Sequence, residues 1–419
     1  MGNRIFIQIA SYRDPELLPT LRDCIDKADN PNDLVFGIAW QHSKEDEWDT
    51  LDEFKDDDRF RILDFDYTES QGVCWARNQV QQLYDGEEYT LQLDSHHRFV
   101  EGWDTTLINM IKQLQEKGHE KPLLTAYIPS YQPDNDPEGR ETAPWWMTFD
   151  RFIPEGAIFF LPTAIPNWEE LTEPVPSRFY SAHFCFTLGQ FSVEVQHDPQ
   201  MYFHGEEISI AVRAYTHGYD LFHPHRIVAW HEYTRKGRAK QWDDDSEWAR
   251  RNEASHRRNR ILFGMEEGCT PCMRKELGKY DFGTVRTLQD YEAYSGIRFK
   301  DRAIQEYTNS NNYAPNPVIE DPIEYENSFQ RIFKHCIDIG YEEVPETDYE
   351  FWVVAFHDKD DNTIFRQDAQ PEEIDRMFND PDGYCKLWRE FHVDETPAYW
   401  VVWPYSQSKG WCDRLTGNL

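Results

Sequence analysis

Tyr89-Thr90-Leu91-Gln92-Leu93-Asp94-Ser95-His96-His97 is the stretch on which the reading of this chain turns. Five residues of strand character run into an acid, a hydroxyl and two imidazoles. In an extended chain, residues i and i+2 point to the same side. Asp94 and His96 can therefore close on one divalent cation at the C-terminal lip of a strand, while Ser95 and His97 face elsewhere. In open α/β sheets that lip is where ligands sit. A hard cation with few protein ligands is usually completed by phosphate and water, which points to a phosphorylated substrate. A plain Asp-Ser-His turn is the alternative, since Asp and Ser are good turn formers.

Outward from this stretch the pattern is β–α–β. Ile5-Phe6-Ile7-Gln8-Ile9-Ala10 reads as a first strand, followed by Ser11-Tyr12-Arg13-Asp14-Pro15. Asp14 can cap a helix and Pro15 suits its first turn. Leu17, Leu18, Leu21 and Ile25 then share a helical face. Leu34 to Trp40 and Arg61 to Phe65 read as buried strands, and Val73 to Leu83 as a helix. Trp103 to Gln115 and Leu123 to Tyr127 add a helix and a strand. Pro129 to Pro176 is rich in Pro, Trp and acids and reads as a covering loop. Phe184 to Phe191 returns to strand character, Ile208 to His217 is helical, and Ile227 to Trp230 is strand-like before His231. The expected class is an open α/β sheet with helices on both faces, over residues 1–300. Residues 301–322 read as a linker rich in Asn and Pro. Residues 323–419 then form a smaller α+β accessory domain of unknown role, in which Asp360-Asp361-Asn362 marks a hairpin.

Composition narrows the function. With 77 acidic against 43 basic residues the formal net charge is −34. Binding nucleic acid through a broad basic face, or adhering to anionic membranes, is disfavoured by that balance. The first strand is too short for a signal h-region or a membrane span, and the eight scattered cysteines fit a reducing, cytoplasmic setting. Cys269 and Cys272 form a lone CxxC, which reads as loop thiols rather than a zinc site.

Other residues can share the chemistry of Asp94 and His96. His231 ends a later strand and can be a third metal ligand, or can simply pack between Trp230 and Glu232. Ala10, Ser11, Tyr12 and Arg13 lie where a nucleotide meets a doubly wound sheet. Arg13 can equally serve a surface ion pair. Arg77, in the first turns of a helix preceded by Gly72, is placed to meet an anion. Glu206 and Glu207 open a helix after Gly205. They either compensate its dipole or face an acceptor or sugar hydroxyl.

In their order along the chain, these motifs resemble a known family. Ser11-Tyr12-Arg13-Asp14, Leu91 to His96 followed by Arg98-Phe99, Gly205-Glu206-Glu207, Gly283 to Leu288 and Tyr291 to Ile297 look like the cytoplasmic hydroxyproline N-acetylglucosaminyltransferases. The Asp-Ser-His triplet, the Gly-Glu helix start and the late His are also similar to the polypeptide N-acetylgalactosaminyltransferases. The resemblance spans roughly residues 3–299. It implies a GT-A fold, a UDP-sugar donor, Mn2+ or Mg2+ as cofactor, and transfer with retention of configuration. Asp94, His96 and His231 are then the metal ligands. Ala10, Ser11, Tyr12, Arg13, Arg77, Asp94 and Ser95 bind the donor, and Asp94, Glu206 and Glu207 serve catalysis. The implied reaction moves a sugar, N-acetylglucosamine first among the candidates, to a hydroxyl of a protein hydroxyproline, Ser or Thr. A glycan or modified nucleic-acid acceptor, or a non-catalytic carbohydrate-binding protein on the same scaffold, is the competing reading. Oligomeric state is not legible in the sequence.

Overall fold

The computed structural model describes residues 2–234, 237–268, 270–379, 381 and 383–419. It divides into two compact units, one of residues 1–300 and 307–320, the other of residues 301–306 and 321–419. The stretch expected to be a linker thus contributes to both. Cys269 of the CxxC lies outside the described residues, and Cys272 is exposed. Among the described residues no helix is long and apolar enough to cross a membrane.

The first unit is built on β1 (Ile5–Tyr12), α1 (Leu17–Asp26), β2 (Leu34–His42), β3 (Phe60–Asp66), α2 (Val73–Gln81), β4 (Tyr89–Leu93), β5 (His97–Phe99), α3 (Trp103–Glu116) and β6 (Pro122–Thr125). It continues through β7 (Trp145–Phe152), β8 (Ile158–Ala164), β9 (Val175–Pro176), β10 (Phe184–Leu188), α4 (Phe191–Glu194), α5 (Glu206–Thr216), β11 (Asp220–His223) and β12 (Ala229–His231). Eight strands make one mixed sheet in the order β3-β2-β1-β4-β10-β6-β11-β9. β1, β2, β3 and β4 run parallel, and β10 runs against both β4 and β6. All five residues of β4 are buried, as a strand covered on both faces requires. On one face Ile5, Ile7 and Ile9 pack with Leu17 and Leu21 of α1 and Trp103, Leu107 and Ile111 of α3. On the other, Phe6, Val35 and Ala39 pack on Ala76 and Val80 of α2. The period-2 alternation of the strand thus feeds two helical layers, and the expected α/β architecture is present.

Two elements differ from the sequence reading. Residues 129–176 hold an antiparallel hairpin of β7 and β8 rather than loop alone. Met147, Phe149 and Phe160 are buried on one face and Trp146 on the other, and Gly156 turns the chain with φ +94°. The prolines lie at its margins or within β8, where pairing with β7 alone leaves the other edge without a ladder to break. Second, β4 stops at Leu93, so Asp94-Ser95-His96 is a bend and β5 begins at His97. Asp94 and His96 therefore do not converge through strand periodicity.

The second unit is α+β. Residues 332–340 pair antiparallel with 384–392, and residues 349–357 pair with 363–366 and 399–406. Its core joins Trp352, Val354, Phe356, Leu387 and Val402 to Ile374 and Met377 of helix 371–377.

Candidate metal and donor site

The sheet's topology explains why distant residues meet. β1, β4 and β6 run in one direction, so their C-terminal ends share an edge, and β10 begins at that edge. The N-terminus of α2 opens on it, bringing Arg77 in from the helix's second turn. β12 pairs with β5 in the register His231↔His97, which sets His231 beside the Asp94–His96 bend.

Asp94, His96 and His231 each offer a ligand atom within 4.8 Å of the others. Asp94 Oδ2 lies 3.4 Å from His231 Nε2 and 3.8 Å from His96 Nε2. Both imidazoles are buried, and neither Nε2 has a hydrogen-bond partner. Buried polar atoms are nearly always satisfied, so two orphans beside one carboxylate form a group that could hold a cation. Burial pushes the His231 imidazole well below its ordinary range, keeping it neutral and able to ligate. Burial alone would raise the Asp94 carboxyl, but contact with His231 and the charge of Arg77 hold it well below the usual carboxylate range. One carboxylate and two imidazoles suit a first-row divalent ion, and the residues present fit the implied metal.

Arg77 is 4% exposed, so its charge is barely screened by water. It donates from Nη2 to Asp94 Oδ1 at 2.8 Å, and its Nη1 is 3.7 Å from Glu206 Oε1. Glu207 accepts from Tyr127 Oη at 2.5 Å and from the Ala182 amide at 2.9 Å. Burial pushes both glutamates upward, and for Glu206 the charge of Glu207 adds to it.

Two clefts meet at Arg77, Asp94 and Phe203. The first, of about 750 Å³, is lined by Ala10, Tyr12, Gly72, Ser95, His96 and residues 238–242 among others. The second, of about 820 Å³, takes in Tyr127, His183, Glu206, Glu207, His231 and Tyr233. The expected donor residues divide between lining and support. Ala10, Tyr12, Arg77, Asp94 and Ser95 line the first cleft. Ser11 is fully buried, with its Oγ unpartnered. Arg13 lines a neighbouring depression and is held by Asp46 at 2.7 Å and Asp244 at 3.1 Å. Its surface ion pairs match the alternative reading of that residue. His97 is fully buried, its Nδ1 3.0 Å from the Asp94 carbonyl oxygen.

Sequence reading missed His183, which stacks on His231 with ring centroids 4.2 Å apart, and Tyr127 and Tyr233 beside it. It also missed Arg238, which donates to Asp14 at 2.8 Å and to Glu232. No periodicity marks these residues. Only the antiparallel insertion of β10, which starts one residue after His183, brings that imidazole to the edge.

The profile of a family described as glycosyltransferase (GlcNAc) matches residues 4–58 and 50–301, well over half of the chain. The chain belongs to this glycosyltransferase family. Among solved structures, the glycosyltransferase is similar to GalNAc-T7 with UDP, GalNAc and Mn2+, at 14% identity and TM-score 0.46, covering 69% of this chain and 54% of that one. It is similar to S. aureus TarS 1-349, at 12% identity and TM-score 0.37, covering 66% and 80%. It is also similar to the mannosyltransferase PcManGT from Pyrobaculum calidifontis in complex with GDP-Man and Mn2+, at 14% identity and TM-score 0.37, covering 65% and 67%. The chain thus spans about half the length of the GalNAc-T7 structure. No curated protein sequence matches it.

Proposed function

We propose that this glycosyltransferase moves N-acetylglucosamine from UDP-N-acetylglucosamine to a hydroxyl acceptor, with retention of configuration. Asp94, His96 and His231 would hold a divalent cation, manganese first. The carrying observation is the pair of orphaned imidazole nitrogens facing Asp94 where two clefts meet. Bound there, the cation would offset negative charge building on the departing diphosphate.

The chain's own residues supply the rest. Arg77 presents a buried, fixed positive charge beside Asp94, where the leaving group's charge develops. Ala10, Tyr12 and Ser95 line the nucleotide side of the first cleft. Glu206 and Glu207 face the second cleft, where sugar and acceptor would lie. Burial favours the protonated form of the pair, and Glu206 would orient hydroxyls by hydrogen bonding while Tyr127 and the Ala182 amide hold Glu207 in place. The acceptor hydroxyl attacks on the face the diphosphate leaves, and a diphosphate oxygen takes its proton. That route needs no dedicated protein base.

The test is manganese-dependent release of UDP from UDP-N-acetylglucosamine, against a panel of other UDP- and GDP-sugars. Asp94→Asn and His231→Ala should each lose at least about 100-fold in turnover with melting temperature held, since ligand removal disables metal catalysis. Near-normal turnover in both variants would sink the metal assignment. Preference for another nucleotide-sugar would sink the donor assignment.

A further inference from the structure

We propose that Asp14 is the positioning residue of the metal site, fixing the tautomer of His96 so that Nε2 is free for the cation. This rests on the metal reading above. Asp14 lies two residues beyond the end of β1 and is 5% exposed. Its two oxygens do different jobs. Oδ1 accepts from the Glu16 amide at 3.0 Å, which serves the start of α1. Oδ2 serves the site, lying 2.7 Å from His96 Nδ1, 2.7 Å from Ser95 Oγ and 2.8 Å from Arg238 Nη1.

A carboxylate oxygen can only accept, so the hydrogen in the contact with His96 sits on Nδ1. In a neutral imidazole the other nitrogen then carries the lone pair. That nitrogen is the orphaned Nε2, 3.8 Å from Asp94 Oδ2. With the hydrogen on Nε2 instead, His96 would donate toward Asp94 and could not ligate. A helix-start role alone would engage only Oδ1, whereas Oδ2 gathers His96, Ser95 and Arg238. The Ser95 hydroxyl on the same oxygen pins the bend between the two ligands. From α1, Thr20 Oγ1 donates toward the Ser95 carbonyl at 3.0 Å and accepts from the His97 amide at 2.8 Å, clamping the bend from the other side.

The experiment is manganese titration by calorimetry of the full chain and of Asp14→Ala, Asp14→Asn and Asp94→Asn. It is paired with ¹⁵N spectra of histidine-labelled, metal-free protein, with His96→Ala assigning the His96 signals. Wild type should show His96 protonated on Nδ1. Asp14→Ala should lose that single tautomer and bind manganese about 10- to 100-fold more weakly, the usual cost of removing such a support. Asp14→Asn, which keeps an acceptor oxygen, should bind more tightly than Asp14→Ala. Asp94→Asn should bind none.

An Asp14→Ala protein with wild-type affinity, beside an Asp94→Asn protein that binds nothing, overturns the role of Asp14 and leaves the metal site standing. Wild-type protein that takes up no manganese overturns both. A wild-type His96 carrying its hydrogen on Nε2 overturns the proposal without any variant, even if Asp14→Ala does not fold.

Discussion

Glu206 and Glu207 sit side by side at the start of α5, Glu206 buried with its carboxylate 3.7 Å from Arg77, Glu207 partly buried beside it. Above about pH 4.5, the ordinary glutamate value, the unfolded chain releases protons that the folded pair still holds. Stability contributed by the pair is therefore fully present below that value and is lost as pH rises through the raised values of the pair. Glu206→Gln removes one of the two titrating carboxyls. In chelator, the melting temperature of wild type should fall more than that of Glu206→Gln between about pH 5 and about pH 8. Parallel curves would show that the pair holds no such proton. Asp94, His96 and His231 were brought together by the family resemblance and their order along the chain, whereas the strand alternation that first paired Asp94 with His96 is absent because the chain bends there. The support around them was not. Asp14 reads locally as a helix start, and nothing in its neighbourhood announces that His96 lies within reach 82 residues later.

Among the elements, α2 shows how backbone conformation places the chemistry. Gly72 precedes the helix with φ +106°, in the region that L side chains rarely adopt. A Cβ there would lie 2.7 Å from the Tyr202 ring, and both residues line the first cleft. Gly72→Ala should cost about 1–3 kcal/mol in urea unfolding, from the strained φ and the displaced ring. It should also weaken UDP-dependent thermal stabilisation. An unchanged urea midpoint would mean that the turn relaxes without strain. The parallel half of the sheet was readable because its strands are apolar runs separated by amphipathic helices, as in β1 to β4. The β7–β8 hairpin was obscured by its prolines and acids, which carry turn signals into strand residues. The bend at Ser95 was hidden for a different reason: strand termination there is decided by contacts with Thr20 and Asp14, which no local pattern contains.

Over the whole molecule, every residue assigned to the two clefts lies in the first compact unit, within residues 10–242. The second unit has its own core, in which Trp352 is fully buried among Tyr349, Phe378 and Val354. Truncating a buried Trp to Ala removes both its transfer free energy and its packing, typically about 3–5 kcal/mol. Trp352→Ala should therefore lower the unfolding midpoint of the second unit, read by urea titration of the full chain. If the metal site is complete within the first unit, manganese affinity of the folded variant should stay within about twofold of wild type, because sites without shared contacts behave additively. Loss of manganese binding in a folded Trp352→Ala protein would show instead that the accessory unit shapes the site, and would move its role from bystander to part of the enzyme.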